Sequence, residues 1–258
     1  MCVCYALASG TEAVEKEFQA VFQHQHYRCY NARVGNYMPV IKSGHQEEIV
    51  SFRWGLLPYW SKTQDMRYRH INANAGDIVK HPVYRVPLRQ RRCLVLANCY
   101  YEWIFDEGGR KVPFLIYFGG ERLFSMAGLW DVWTDANRQI CIETFSIIIT
   151  HACRRLKPFV PRMPVIIPSG RRRKYLKLST SLHEITSMLR PYESDRVNLY
   201  PVGVGVNDIH AKGKDLLLPV GNRIYKEYEY VPRVFLKLEG MGSRKENPDH
   251  KPEIKRML

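Results

Sequence analysis

The sequence predicts an α+β fold, a single mainly antiparallel β-barrel-like domain with a few peripheral helices. Short runs rich in β-branched and aromatic residues recur between Gly, Pro, Asp and Asn signals. Only two stretches carry helical spacing, and no internal repeat or composition break divides the chain.

The first helix is expected at 11–22, where Val14, Phe18 and Val21 form an apolar stripe behind a Thr11 N-cap, with Glu12 near the positive helix end. Strands are expected at Met38–Ile41, Ile49–Trp54, Cys93–Ala97, Phe114–Phe118, Phe124–Leu129, Cys141–Thr150 and Val165–Ile167. A second helix is expected at 181–190, with a Ser181/Glu184 capping box, a stripe of Leu182, Ile185 and Leu189, and Pro191 as its stop. The domain is taken as residues 1–240. The tail 241–258 has no core-forming pattern and is expected to be mobile.

With 258 residues, 45% hydrophobic and 25% charged, the composition is that of a globular chain and excludes a disordered or collagenous one. Apolar runs fall short of the roughly 18–20 residues of a membrane span, and no apolar stretch follows a basic leader, so a soluble protein with no membrane partner is expected. Seven scattered cysteines, an odd number, suit a reducing cytosol, and a cytoplasmic location follows as the expectation. The net charge of +14 favours polyanionic partners, nucleic acid first. Basic residues bunch at Arg85–Arg92, at Arg154, Arg155 and Lys157, and at Arg171–Lys174, as in a phosphate-tracking groove or, for any one run, a solvated face.

Three strings could carry chemistry. The chain opens Met-Cys-Val-Cys, and removal of Met1 leaves Cys2 with an α-amine beside its thiol. Such a 1,2-aminothiol condenses with an aldehyde to an imine and closes it to a thiazolidine. It also suits an amidohydrolase nucleophile, or is simply a small buried residue of a first strand. Cys4 raises a Cys-x-Cys metal pair, but no second ligand pair stands at metal spacing, and neither metal nor cofactor is expected. In RRCLVLANCYYEW (91–103), Glu102 lies between Tyr101 and Trp103. A carboxyl there is either a general acid with a raised pKa or a structural glutamate. In PRMPVII (161–167), Arg162 either holds a phosphate bidentately or caps the barrel.

Taken together in order, Met-Cys at the start, Tyr30-Asn31, RWGLLPYWSK (53–62), INA (71–73), CLVLANCYYEW (93–103), FSMAGLWDVW (124–133), SIIIT (146–150), PRMPVII and YPVGVGVN (200–207) resemble the SRAP family, over about residues 2 to 220. These are the SOS response-associated, so-called peptidase, proteins that shield abasic sites in single-stranded DNA. The resemblance implies a mixed β-barrel that binds single-stranded or gapped DNA, links covalently to the ring-opened abasic sugar as a thiazolidine, and works with the nucleoid in the DNA damage response. It implies that Cys2 is the cross-linking residue, Glu102 the catalytic glutamate, and Asn72 and Thr150 residues of the lesion pocket. Arg162 is then the arginine of its His-x-Arg-Met-Pro motif. Tyr59 and Trp60 match a pair that stacks on bases beside the lesion, although two aromatics after a Pro also suit simple barrel packing.

The chain departs from the pattern at several positions. The family's catalytic histidine falls on Val160, the motif arginine after Asn72-Ala73 on Asn74, the following glutamate on Gly76, and the usual Gly-Arg after the cysteine on Val3-Cys4. His151 is a candidate substitute, though strand alternation turns it away from Thr150. Arg67 or Arg69 in loop 61–70 could replace the lost phosphate contact. Covalent capture is the leading expectation, with lyase activity as a further step. Two alternatives stay open: a DNA-binding module weakened by loss of the histidine, and an N-terminal cysteine peptidase or hydrolase. A lone Met before Cys2 leaves no propeptide for the latter to cleave.

Overall fold

The computed structural model describes residues 3–26, 28–62, 70–106, 108–120, 123–135 and 139–226. Its elements, in chain order, are β1 (Cys4–Leu7), α1 (Thr11–Phe18), β2 (Val21–Phe22), β3 (Cys29–Arg33), β4 (Tyr37–Lys42), β5 (His45–Trp54), β6 (Asn72–Asn74), α2 (Arg85–Gln90), β7 (Arg92–Ala97), β8 (Cys99–Phe105), β9 (Lys111–Phe118), β10 (Phe124–Asp135), β11 (Ile140–His151), β12 (Arg162–Pro164), α3 (Ser169–Leu176), α4 (Leu182–Met188) and β13 (Val197–Pro201). The fold is the expected α+β class. Strands β11, β10, β7, β4 and β5 pair in that order, and parallel pairing of β5 with β11 (Arg53 opposite Thr144) closes them into a barrel. A second sheet runs β13-β9-β8-β1-β3.

Period-2 alternation divides the second sheet between two cores. Tyr5, Leu7 and Tyr100 enter the main core with the barrel residues. Cys4, Ala6, Cys99 and Tyr101 face a smaller cluster with Val202, Val206 and Leu216. Gly128 lets β10 approach β7, since a β-carbon there would lie 2.7 Å from the Cys93 sulfur and 3.0 Å from Val95. None of the described helices is long and apolar enough to cross a membrane.

The expected strands are present, mostly longer than their apolar runs. Val165–Ile167 is the exception, because only Ile166 makes a bridge, to Met126, while the ladder strand is Arg162–Pro164. The first helix starts from Gly10 rather than a Thr11 cap, and ends at Phe18 because Gln19 turns left-handed (φ 52°). Val21 and Phe22 then pair with β5, leaving Val21 60% exposed instead of on the helix's buried stripe. The capping box of the second helix is present, with Ser181 Oγ accepting from the Glu184 N–H and the Glu184 carboxylate accepting from the Ser181 N–H. That helix stops at Met188, two residues short of 190.

Two helices fall on basic runs read above as charge clusters, and their arginines partly serve the fold. Arg92 is wholly buried. It donates to the carbonyls of Leu88 and Arg89 at the end of α2 and to those of Tyr175 and Lys177 at the end of α3. A guanidinium suits that place because the last helical carbonyls are orphan acceptors at the negative dipole end. Arg172 pairs with Glu17 and lies 4.3 Å over the Phe18 ring. Arg154 pairs with Asp195, and Arg155 donates to the Asp195 carbonyl. These arginines are therefore not simply a DNA groove. The compact unit extends through Tyr225. The boundary at 240 and the tail 241–258 lie outside the described residues.

Candidate functional site

Glu102 sits in β8, opposite Phe114 of β9. Its neighbours Tyr101 and Trp103 pack on the smaller cluster, so alternation sends Glu102 to the other face, where it is 6% exposed. Burial pushes its pKa up, while positive charge around it, Arg162 included, and the Trp103 N–H pull it back. The carboxyl is thus biased toward the protonated form that can donate.

Strand β1 approaches from the side, with Tyr5 opposite Tyr100. Cys2 lies outside the described residues. Cys4 is described, and its thiol donates to Asn31 Oδ1 at 2.9 Å, with burial pushing its pKa up to about 12. A neutral, hydrogen-bonded thiol is a poor metal ligand. Among the described residues, no three His, Cys, Asp or Glu side chains gather at metal-binding distance.

The end of β11 collects the other candidates. Thr150, buried, lies opposite Met163, and His151, exposed, lies opposite Arg162 of β12. Strand alternation separates Thr150 and His151 as expected, yet Thr150 Oγ1 and His151 Nδ1 come within 3.4 Å. On the other edge of β11, β6 runs parallel with Asn72 opposite Ile147. Asn72 and Arg162 therefore flank the strand that carries Thr150. Val160 is buried in the main core and can neither donate nor accept a proton through its side chain. Asn74 is exposed, and its Oδ1 accepts from the Gly76 N–H. Arg67 and Arg69 lie outside the described residues.

Tyr59 and Trp60 do not pack the barrel: they are 58% and 55% exposed. Their segment is nonetheless anchored to β10 and β11. Leu57 N–H donates to Thr144 Oγ1 at 2.9 Å, Tyr59 N–H to Asp131 Oδ2 at 3.0 Å, and Trp133 Nε1–H to the Ser61 carbonyl at 2.7 Å. Asp131 also pairs with Arg91, whose guanidinium lies 6.0 Å from the Tyr59 ring centre. Two large rings are thus presented to solvent on a braced support.

Sequence reasoning missed Tyr84, whose hydroxyl donates to the Asn72 carbonyl at 3.1 Å. Its ring packs against His70 (5.6 Å) and His81 (4.6 Å). It also missed Asn31, which accepts from the Cys4 thiol and from Arg33 Nε and donates to the Asp208 carbonyl. Tyr30-Asn31 entered the sequence pattern, but no local feature marked this clamp.

Together these features define a class: a basic mixed β-barrel protein in which a hydroxyl, an amide and a guanidinium stand on neighbouring strands, a buried carboxyl on the second sheet feels the charge of that guanidinium, and exposed aromatics stand on a braced loop. The family model of SOS response associated peptidase (SRAP) matches residues 1–209, and the chain belongs to that family. It is 31% identical over 222 residues to the Abasic site processing protein YoaM of Bacillus subtilis, covering 84% of this chain and 97% of that protein. It is 30% identical over 210 residues to the mouse Abasic site processing protein HMCES, covering 69% of this chain and 59% of that protein. A crystal structure of a protein from Bacteroides thetaiotaomicron is similar, with a TM-score of 0.73 and 28% identity, covering 82% of this chain and all of that one.

Proposed function

We propose that this chain processes abasic sites in DNA by capturing them covalently through Cys2, on single-stranded or gapped DNA, as a protective step in the DNA damage response. The observation that carries the reading is Glu102, a buried carboxyl with a raised pKa, on the strand that pairs with the first strand of the chain. Tyr5 of β1 lies opposite Tyr100, two residues before Glu102 on β8, and Cys2 precedes Tyr5 by three residues in the sequence.

The chemistry balances without a cofactor. Once Met1 is removed, the Cys2 amine adds to the C1′ aldehyde of the ring-opened sugar, and the carbinolamine loses one water to give an imine. The thiol then adds across C=N, carbon taking the sulfur and nitrogen the proton, which leaves a thiazolidine. Protonated Glu102 donates to the ring oxygen and recovers a proton from the C1′ hydroxyl as the sugar opens, then donates to the departing hydroxyl of the carbinolamine and recovers a proton from its nitrogen. Thr150 and Asn72 offer hydrogen bonds to the sugar, and Arg162 a charge-assisted contact to its phosphate. Tyr59 and Trp60 offer faces on which neighbouring bases stack.

A second reading, a DNA-binding module that has lost capture, is favoured by Val160, an aliphatic side chain where the family pattern has histidine. A denaturing gel separates the two, with Met1-processed protein, a single-stranded oligonucleotide carrying one abasic site, and Cys2→Ala alongside. Capture gives a denaturant-resistant band that Cys2→Ala lacks. A Cys2→Ala protein that still forms the band sinks the reading, and binding without any band establishes the module.

A further inference from the structure

We propose a second nucleotide subsite, apart from the Glu102 cluster, in a cleft of about 450 Å³ between the connection from β2 to β3, the start of β4 and residues 209–212. It takes one base with its phosphate. The proposal goes beyond the capture reading and does not need the lesion.

The volume falls within the roughly 300–1,000 Å³ of small-molecule sites. One wall is flat and aromatic: the Phe22 and His26 rings stack with centres 4.5 Å apart and planes 10° from parallel. His26 Nε2 lies 3.1 Å from the Ser9 carbonyl, which fixes the ring, and burial lowers its pKa, which keeps it neutral. Tyr37, also lining the cleft, is 60% exposed, a large ring left open to solvent at a strand start. A base has two faces to cover, and rings of this kind cover them.

Charge selects the ligand further. Arg28 and Lys212 line the cleft, and no carboxylate does. Burial raises the Cys29 pKa and the Lys212 charge opposes it, which puts the Lys212 head near the cleft wall, while the Arg28 guanidinium lies beside Gly10, 3.2 Å from where a β-carbon there would sit, at the rim. Among the described residues, neither cation has a carboxylate partner. A flat aromatic wall with a lysine at its edge and an arginine at its rim fits an aromatic anion, and on the DNA-processing reading proposed above, on which this step rests, a nucleotide is that ligand.

The cleft is also within reach of a strand bound at Glu102. Cys29 lies opposite Leu7, whose neighbour Ala6 lies opposite Cys99, three residues before Glu102 on β8, and β3 is two strands from β8. At strand spacing and rise this is about 16 Å, or about five nucleotides at the 3.4 Å stacked repeat. The same chemistry would admit a free nucleotide, and the test separates the two sources.

The experiment uses the full chain, Lys212→Glu and Tyr37→Ala, both at exposed positions outside the Glu102 cluster. Fluorescence anisotropy reads binding of undamaged single strands of four and sixteen nucleotides, and calorimetry reads deoxyadenosine monophosphate. A strand-filled subsite makes the wild type prefer the sixteen-mer. Both variants then lose at least about fivefold on it, the low end of one stacked base, and nothing on the four-mer. Monophosphate binding by the wild type alone, with no length effect, supports the subsite with free nucleotide as its ligand. Equal binding of all probes by the three proteins overturns it. Failure of abasic capture leaves this readout intact, so the two proposals fail separately.

Discussion

The Tyr84 hydroxyl donates to the main-chain carbonyl of Asn72 at 3.1 Å, fixing β6 at the residue proposed to face the lesion. The same ring supports His70, whose backbone pairs in both directions with Leu56 just ahead of the aromatic pair. One buried phenol thus braces two parts of the site.

Tyr84→Phe keeps the ring and removes only the donor. Leaving a part-buried carbonyl unsatisfied costs about 1–3 kcal/mol, so the melting temperature should fall by a few degrees. Single-turnover cross-linking should slow by several-fold with single-strand affinity unchanged. A fall in melting temperature with an unaltered cross-linking rate would show that Tyr84 only supports the fold.

Glu102 should imprint a pH dependence on both stability and capture. Its folded pKa is raised, chiefly by burial. The folded state therefore holds the proton more tightly, and stability falls as pH rises from the ordinary glutamate value through the folded one. Glu102→Gln removes the cost of burying a charge, so the variant should melt higher than wild type near pH 7 and lose that advantage toward pH 4. Capture, which uses the protonated acid, should decline in the wild type as pH rises through the folded pKa and be slow at every pH in the variant. Melting curves and quenched-flow cross-linking across pH 4–8 check both.

Tyr59→Ala and Trp60→Ala should leave stability nearly unchanged, because both rings are more than half exposed. Each should weaken single-strand binding by about 1–3 kcal/mol, the worth of one stacked base. Unchanged affinity in anisotropy titrations would mean that these rings meet no base.

The strands and the burial of Glu102 were legible because their signals are local: β-branched runs between turn residues, and a carboxyl framed by aromatics. Helices α2 and α3 were not, since α3 buries only Tyr175 and Leu176 among four consecutive basic residues, and α2 contains Pro87. The role of Arg92 was hidden for the same reason, as a basic run reads as solvated until two helix ends are seen to converge on it. The first helix was overextended because nothing in Gln19 marks a left-handed residue. Contacts such as Tyr84 to Asn72, or Asn31 to Asp208, depend on tertiary closure and leave no trace in spacing.

Arg92→Met tests the division of labour among the basic residues. Methionine fills much of the volume but removes the Arg92 donors from the carbonyls of Leu88, Arg89, Tyr175 and Lys177, of which that of Lys177 keeps the Thr180 N–H. Orphaned acceptors at two helix ends should cost at least about 3 kcal/mol, or roughly 6–12 °C in melting temperature for a domain of this size. Because Arg92 is wholly buried, the slope of log affinity against log salt for single-stranded DNA should not change at a temperature where the variant is folded. A shallower slope would place Arg92 against a phosphate, and a melting temperature within a degree of wild type would remove it from the structural latch.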